Sequence, residues 1–117
     1  MPTHNEEQFI ERSLGAILAQ DYAPDRVEVI IVDGMSDDGT RTMVQEIASR
    51  NQRVVMLDNP KRIMPSGMNL GIKHARGDVI FCIGGHAVIP VDYVTQCVEW
   101  LHKENVDGVG GAVDSAL

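Results

Sequence analysis

The chain has 117 residues, of which 44% are hydrophobic and 23% are charged. This length is typical of one domain and too short for a two-lobed enzyme, and the composition excludes a disordered tail. Seventeen acidic and ten basic residues give a net charge of -7, which argues against a general nucleic-acid binder because phosphates repel an acidic surface. No apolar run approaches the roughly 20 residues of a membrane-spanning helix.

The first half of the chain alternates helix-like and strand-like segments. A short polar segment at residues 1–5 leads into a helical pattern, with Ile10 and Leu14 on one face. Residues 27–33 are β-branched and nearly continuous, which is typical of a strand covered on both faces. A second helix follows, and residues 53–58 form the next predicted strand.

The second half continues this alternation. Pro65 opens a third helical pattern, and residues 78–84 have the composition of another buried strand. Pro90 precedes a fourth helix, and residues 107–113 form a last predicted strand that contains three glycines. The alternation predicts an α/β fold with a mainly parallel sheet covered by helices on both sides. Ligands of such sheets bind beyond the carboxyl ends of the strands.

The two cysteines carry a small prediction of their own. Cys82 and Cys97 each lie in an apolar stretch, and their spacing is not that of a zinc site. The sequence therefore predicts two buried free thiols in a reducing compartment.

Polar residues end the predicted strands, and each has two possible roles. Asp33 follows a buried strand, where it can accept hydrogen bonds from a base or a ribose, or can close a local turn. His86 can bind a metal or a phosphate, although most lone histidines are structural or exposed. His4 can stack on a base or remain a solvent-exposed loop residue. Arg62, in the main basic cluster, can face a diphosphate or only solvent.

Glycine-rich cofactor motifs give a negative result. A dinucleotide fingerprint needs G-x-G-x-x-G directly after a strand, and the chain has neither this run nor a phosphate-loop lysine motif. Both results argue against nicotinamide dehydrogenases and ATP-hydrolysing machines.

Three motifs, in this order and at these separations, resemble those of the family 2 glycosyltransferases. They are Pro2–Glu6, Val32–Thr40 and Asn69–Asp78, and residues 59–90 are most similar to the branch of succinoglycan-type exopolysaccharide biosynthesis. The family consists of inverting enzymes that use nucleotide sugars. The resemblance implies a Rossmann-like GT-A fold, a three-layer α/β/α arrangement with a mainly parallel sheet, truncated at both ends. It implies one nucleotide-sugar-binding domain over residues 1–117.

The resemblance also implies a donor site. The loop after the first strand and Asp33 would contact the nucleoside from both sides. Gly34 occupies the position where many members have a second acid. Residues 84–86 fall where the family carries an Asp-x-Asp motif, so His86 is the expected ligand of Mg²⁺ or Mn²⁺ and Gly84 replaces the first acid. No catalytic base is assigned, since none of the matched positions is one. The implied nucleotide-sugar-binding residues are Pro2, Thr3, His4, Asn5, Glu6, Asp33, Gly34, Arg62, Asn69, Gly71, Gly84 and Gly85.

Three functions are open on these grounds. In the first, the chain is the donor-binding portion of a glycosyltransferase, and the intact enzyme transfers a sugar, with inversion, to a polysaccharide or lipid-linked acceptor. The alternative is a non-catalytic nucleotide-binding or interaction module that retains the fold. A nucleotidyltransferase would need a glycine-rich basic loop after its first strand, which the sequence does not show.

The resemblance places the start of the chain within the loop that follows the family's first, central strand. We therefore expect a slot between residues 27–33 and 78–83, and self-association through the unpaired sheet edge. The expected partners are a nucleotide-sugar donor and the acceptor, but not nucleic acid. The expected location is the cytoplasm, with an intact protein that can associate with the cytoplasmic face of the membrane, and the 117-residue chain alone is expected to be inactive.

Overall fold

The computed structural model describes residues 1–104 and 114–115, and its main sheet has three parallel strands in the order β1-β2-β3. The strands are β1 Pro2–Thr3, β2 Val29–Asp33 and β3 Val54–Asp58. Thr3 lies opposite Asp33, and Asp33 lies opposite Asp58. Because the strands are parallel and in this register, all three end at the same edge of the sheet.

Helices cover both faces of this sheet. They are α1 Ile10–Leu18, α2 Thr40–Arg50, α3 Met64–His74 and α4 Tyr93–Glu104. On one face, Ile10 and Leu14 of α1 and Val44 of α2 form a buried core with Ile31 of β2. On the other face α3 packs against β2, next to Val32. The structure therefore has the predicted three-layer α/β/α arrangement.

The predicted strands have different outcomes. Those at 27–33 and 53–58 are confirmed as β2 and β3, each slightly shorter than predicted. The strand predicted at 107–113 lies outside the described residues. A short strand β4, Ala87–Val88, pairs antiparallel with β5, Asp114–Ser115.

The prediction of a strand at residues 78–84 is wrong. This segment is irregular, and Val79 and Ile80 are 36% and 48% exposed. It lies along an open slot of about 910 Å³, which is also lined by Ile30 and Val32 of β2. A strand needs a neighbour for its backbone hydrogen bonds. The neighbour of β2 on the side of the slot is β1, which has only two residues in the part of the chain that the structure describes. Residues 78–84 therefore have no strand of comparable length to pair with.

The cysteine prediction is half right. Cys97 is buried in α4, whereas Cys82 is exposed because it belongs to the irregular segment beside the slot. Both thiols are free. Among the described residues, no helix has the length and apolar character needed to cross a membrane.

Candidate functional site

A small pocket of about 180 Å³ opens where β1, β2 and β3 end. Its lining includes the apolar side chains of Ile63 and Met64, which are 57% and 60% exposed. Six of the residues predicted to bind the donor also line it: Pro2, Thr3, His4, Glu6, Gly34 and Arg62.

The loop after each strand contains one residue in the left-handed backbone region. These residues are Asn5 after β1, Met35 after β2 and Arg62 after β3, with φ angles of 52°, 58° and 63°. Asparagine adopts this conformation readily, but for methionine and arginine it costs of order 1–3 kcal/mol each. The surrounding structure must hold these loops firmly to maintain such conformations.

Side-chain hydrogen bonds join the loop after β1 to the loop after β2. The backbone N–H of Asn5 donates to Ser36 Oγ at 2.9 Å, and the N–H of Asp37 donates back to Asn5 Oδ1 at 3.0 Å. The N–H of Glu6 donates to Thr40 Oγ1 at 2.8 Å. The two motifs, about 30 residues apart in sequence, are therefore structural partners.

The same two loops are joined at the start of α2. Gly39 donates its N–H to Glu7 Oε2 at 2.8 Å, and the N–H of Thr40 donates to Asp38 Oδ1 at 2.9 Å. Slight burial raises the pKa of Asp38, but hydrogen bonds from Thr40 and from the Glu7 backbone outweigh it and hold the pKa below its ordinary value. In its ionised form, Asp38 thus accepts a hydrogen bond from the N–H of the first residue of α2.

Asp33 is fully buried, and both of its carboxylate oxygens are engaged within the protein. Oδ1 accepts from Thr3 Oγ1 at 2.8 Å and from Ser36 Oγ at 2.6 Å. Oδ2 accepts from the Ser36 N–H at 2.8 Å and from Arg41 Nη1 at 3.0 Å. Burial raises the pKa of Asp33, but the hydrogen bonds from Ser36, Thr3 and Arg41 outweigh it and lower the pKa. The sequence leaves two roles open for Asp33, binding a base or ribose and closing a local turn. These contacts are those of a residue that closes a turn.

Arg41 extends this network to the third strand. Its Nη2 lies 2.7 Å from Asp58 Oδ1, and the hydrogen bonds that the guanidinium donates to Asp58 and Asp33 raise its pKa. Sequence reasoning missed Arg41. Because Asp58 ends a predicted strand, its place at the edge of the sheet can be predicted from the sequence. The ion pairs of Arg41 cannot, because they depend on how α2 packs against the sheet.

His4 lies at the rim of the pocket with one ring nitrogen fixed. Its Nδ1 is 2.9 Å from the carbonyl oxygen of Gly34. Because a carbonyl only accepts, Nδ1 must carry hydrogen, and in the neutral ring Nε2 is then an acceptor. A Cβ at Gly34 would lie 3.3 Å from the Thr3 carbonyl oxygen and 3.4 Å from Arg62 Cα. The loop carrying Arg62 therefore leaves little room for any side chain at position 34.

Residues 84–86 pack against the loop after β1. A Cβ at Gly85 would lie 3.0 Å from both Glu6 Cγ and Thr3 Cγ2, so a side chain at this position would force a shift. This close approach brings His86 Nδ1 to 3.6 Å from Glu6 Oε1.

Glu6 and His86 together offer a carboxylate oxygen and an imidazole nitrogen. Among the described residues, no group of three or more His, Cys, Asp or Glu side chains is arranged to hold a metal ion. Mg²⁺ commonly binds through one or two carboxylates, with substrate phosphates and water completing its shell. Glu6 and His86 therefore fit a divalent ion whose other ligands would come from a diphosphate and water.

Six of the residues predicted to bind the donor do not line the pocket: Asn5, Asp33, Asn69, Gly71, Gly84 and Gly85. Asn69 is exposed on α3. Gly71 faces the slot and lets α3 pack on β2, because a Cβ there would lie 3.3 Å from Val32 Cγ2.

Comparison with known proteins identifies the family. The sequence profile of glycosyl transferase family 2 matches residues 1–116, and the chain belongs to this family. This confirms the resemblance that the three motifs indicated.

Two curated relatives match nearly the whole chain. Succinoglycan biosynthesis protein ExoA of Rhizobium meliloti (strain 1021) is 37% identical over 111 residues, which cover 93% of this chain and 33% of the relative. The dolichyl N-acetyl-alpha-D-glucosaminyl phosphate 3-beta-D-2,3-diacetamido-2,3-dideoxy-beta-D-glucuronosyltransferase of Methanococcus voltae is 32% identical over 121 residues, which cover 97% of this chain and 38% of the relative. The chain thus spans little more than a third of these relatives.

Solved structures confirm the GT-A fold. The mannosyltransferase PcManGT from Pyrobaculum calidifontis, in complex with GDP-Man and Mn2+, has a TM-score of 0.80 and 32% identity. The match covers 86% of this chain and 30% of that one. S. aureus TarS 1-349 also has a TM-score of 0.80, covering 95% of this chain and 36% of that one. Its identity is 20%, so this likeness concerns the fold alone.

Proposed function

We propose that this chain binds the nucleotide-sugar donor of an inverting glycosyltransferase, in the pocket at the ends of β1, β2 and β3. The observation that carries this proposal is the convergence on one pocket of six residues predicted to bind the donor. The structure of PcManGT, which is 32% identical to this chain, was solved with GDP-Man and Mn2+, and this supports a sugar nucleotide as the ligand.

Different residues of the pocket would contact different parts of the donor. The exposed side chains of Ile63 and Met64 offer an apolar surface for the flat face of a base, and His4 Nε2 offers a hydrogen-bond acceptor. Arg62 lines the same pocket and supplies a cation for the diphosphate. Asp33 acts as a positioning residue, because its carboxylate holds the loop and does not face the pocket.

The remaining predicted residues act through the backbone and through packing. Asn5 joins the two loops, Gly34 and Gly85 permit their close approach, and Gly71 seats α3 on β2. Asn69 shares the motif with Gly71, and we propose that it reaches the donor only in the intact protein.

We propose that the donor binds with Mg²⁺ or Mn²⁺ at His86. When bound, such an ion neutralises the charge that develops on the leaving diphosphate. His86 is 47% exposed and next to the pocket loop, so its ring is accessible to an ion.

For the intact protein we propose transfer of a sugar to a polysaccharide or lipid-linked acceptor at the cytoplasmic face of the membrane. The names of the two curated relatives support this acceptor class, since one names succinoglycan biosynthesis and the other names dolichyl N-acetyl-alpha-D-glucosaminyl phosphate. The free thiols of Cys82 and Cys97 are in keeping with a reducing compartment. Because the chain spans about a third of these relatives, we expect residues 1–117 to bind the donor without transferring sugar.

The alternative is a nucleotide-binding module without turnover. The observation that favours it is Gly84, which supplies no carboxylate where the family carries the first acid of its Asp-x-Asp motif. Assay of the intact protein with a radiolabelled sugar nucleotide separates the two functions, since only the enzyme releases nucleoside diphosphate in step with sugar transfer.

Calorimetric titration of UDP, GDP, CDP and ADP, with and without Mn²⁺, tests the binding function. We expect at least one nucleotide to bind, with higher affinity when Mn²⁺ is present. His4→Ala should weaken this binding, whereas His74→Ala, an exposed histidine of α3, should not. Failure of a folded chain to bind any of the four would contradict the proposal.

A further inference from the structure

We infer that Glu6 is a metal ligand, and that Glu6 and His86 form a two-residue divalent-cation site completed by the diphosphate of the donor. This inference rests on the proposed donor-binding function. It adds a carboxylate from the loop after β1 to the ligand set, where His86 alone was predicted from the sequence.

The geometry of the pair suits a shared ion. Glu6 Oε1 and His86 Nδ1 are 3.6 Å apart, which is too long for a hydrogen bond between them. Neighbouring ligand atoms of an octahedral ion, each about 2.1 Å from it, are about 3.0 Å apart, so a small adjustment of the two side chains brings both atoms to one ion. The side chains are 20% and 47% exposed, so an ion and a diphosphate can reach both.

Both ligands are held in place by their backbones. The N–H of Glu6 donates to Thr40 Oγ1, and the carbonyl of Glu6 accepts from Phe9 and Ile10 at 2.9 and 2.8 Å. On the other side, the N–H of Ala87 donates to the Gly84 carbonyl at 3.1 Å, which closes the turn that carries His86. The pair is therefore preorganised, and binding an ion requires only side-chain adjustment.

Electrostatics distinguishes a metal ligand from a residue that merely shapes the pocket. Without an ion, the Glu6 carboxylate repels a diphosphate bound in the same pocket. With an ion between them, the same carboxylate attracts the complex. Removing its charge must therefore have opposite effects on nucleotide affinity in the two conditions, which no purely structural role of Glu6 produces.

The test measures Mn²⁺ and nucleotide affinities separately. Electron paramagnetic resonance counts free Mn²⁺ during titration of the chain, alone and with saturating UDP or GDP, and calorimetry measures UDP and GDP without metal. The variants are Glu6→Gln and His86→Ala. Glu11→Gln and His74→Ala are matched controls, because both replace exposed side chains and make the same chemical changes. Circular dichroism verifies that each variant is folded.

We expect Glu6→Gln and His86→Ala each to weaken Mn²⁺ binding in the presence of UDP or GDP at least tenfold, with both controls unchanged. Without metal, Glu6→Gln should bind the nucleotide as tightly as the parent chain or more tightly. Gly84→Asp should strengthen Mn²⁺ binding, since a Cβ there lies 3.7 Å from His86 Cε1 and leads a carboxylate towards the site.

The failures of the two proposals are distinguishable. If the parent chain binds none of UDP, GDP, CDP and ADP in any condition, the donor-binding function itself is contradicted. If nucleotide binds but Glu6→Gln and Glu11→Gln have the same Mn²⁺ affinity, Glu6 is not a ligand and only this inference is overturned.

Discussion

The guanidinium of Arg41 lies 3.0 Å from the carboxylate of Asp33, a residue that is completely buried at the end of β2. The same guanidinium reaches Asp58 at the end of β3, so one side chain of α2 ties two strand ends together. The loops that surround the candidate pocket begin at these strand ends. The ion pair therefore supports the site without facing it.

Replacing Arg41 by Met should destabilise the protein by about 1.5–3 kcal/mol, because a buried carboxylate then loses a charged donor. Urea unfolding measures this loss. Arg50→Met is the matched control, since Arg50 forms an exposed pair with Glu46 that should contribute about 0.5 kcal/mol or less. Equal free energies of unfolding for the two variants would show that the ion pairs of Arg41 stabilise the protein no more than an exposed pair does.

Stability should fall in acid because of Asp33. Its pKa is lower in the folded state than in the unfolded chain, so folding favours the ionised form. The stabilisation is fully present above the unfolded pKa of about 3.9 and is lost as the pH falls through the folded pKa. Unfolding free energies between pH 5 and pH 3 should therefore decline more steeply for the parent chain than for Asp33→Asn. Parallel declines for the two chains would contradict the lowered pKa of Asp33.

The sequence predicts those parts of this fold that depend on local pattern. The apolar run of β2 predicts a buried strand, and the alternation of helices and strands predicts the parallel sheet. Residues 78–84 have the same β-branched character but form no strand, because pairing depends on a neighbour that local composition does not reveal.

The candidate site shows the same limit. Motif resemblance predicts Thr3 and Asp33 as site residues, but it does not show that they bond to each other across 30 positions. Nor does it show that Glu6 meets His86, since that contact depends on the close approach of Gly85. Residue types at strand ends can be predicted, whereas their contacts require the packed loops.

The slot between β2 and residues 78–84 should accept an added strand. We expect six apolar, β-branched residues fused before Met1 to continue β1 and pair with β2. Each net gain of 1 kcal/mol raises the melting temperature by about 4 °C or more in a domain of this size. A Gly/Ser extension of equal length is the control, and equal melting temperatures for the two would contradict the account of the slot. The parent chain should also self-associate as its concentration rises, and the apolar extension should suppress this.

The adjacent glycines 84 and 85 should respond differently to alanine. Gly85→Ala should cost about 1–3 kcal/mol, because its Cβ would meet Glu6 and Thr3 at 3.0 Å. Gly84→Ala should be nearly neutral, since among the described residues only the His86 ring lies within 4 Å of its Cβ. Thermal unfolding of both variants checks the difference. Equal costs would mean that residues 84–86 do not pack against the loop after β1.

Nuclear magnetic resonance of the ¹⁵N-labelled chain, titrated with UDP and with GDP in the presence of Mg²⁺, locates the donor most directly. The pocket at the strand ends predicts that the largest amide shifts fall on Thr3, His4, Gly34 and Gly85, whose loops form or flank it. Val79 and Ile80, which line the slot, should shift little. If the largest shifts instead fall in the slot, or if neither nucleotide moves any amide of the folded chain, the pocket at the ends of β1, β2 and β3 is not the donor site.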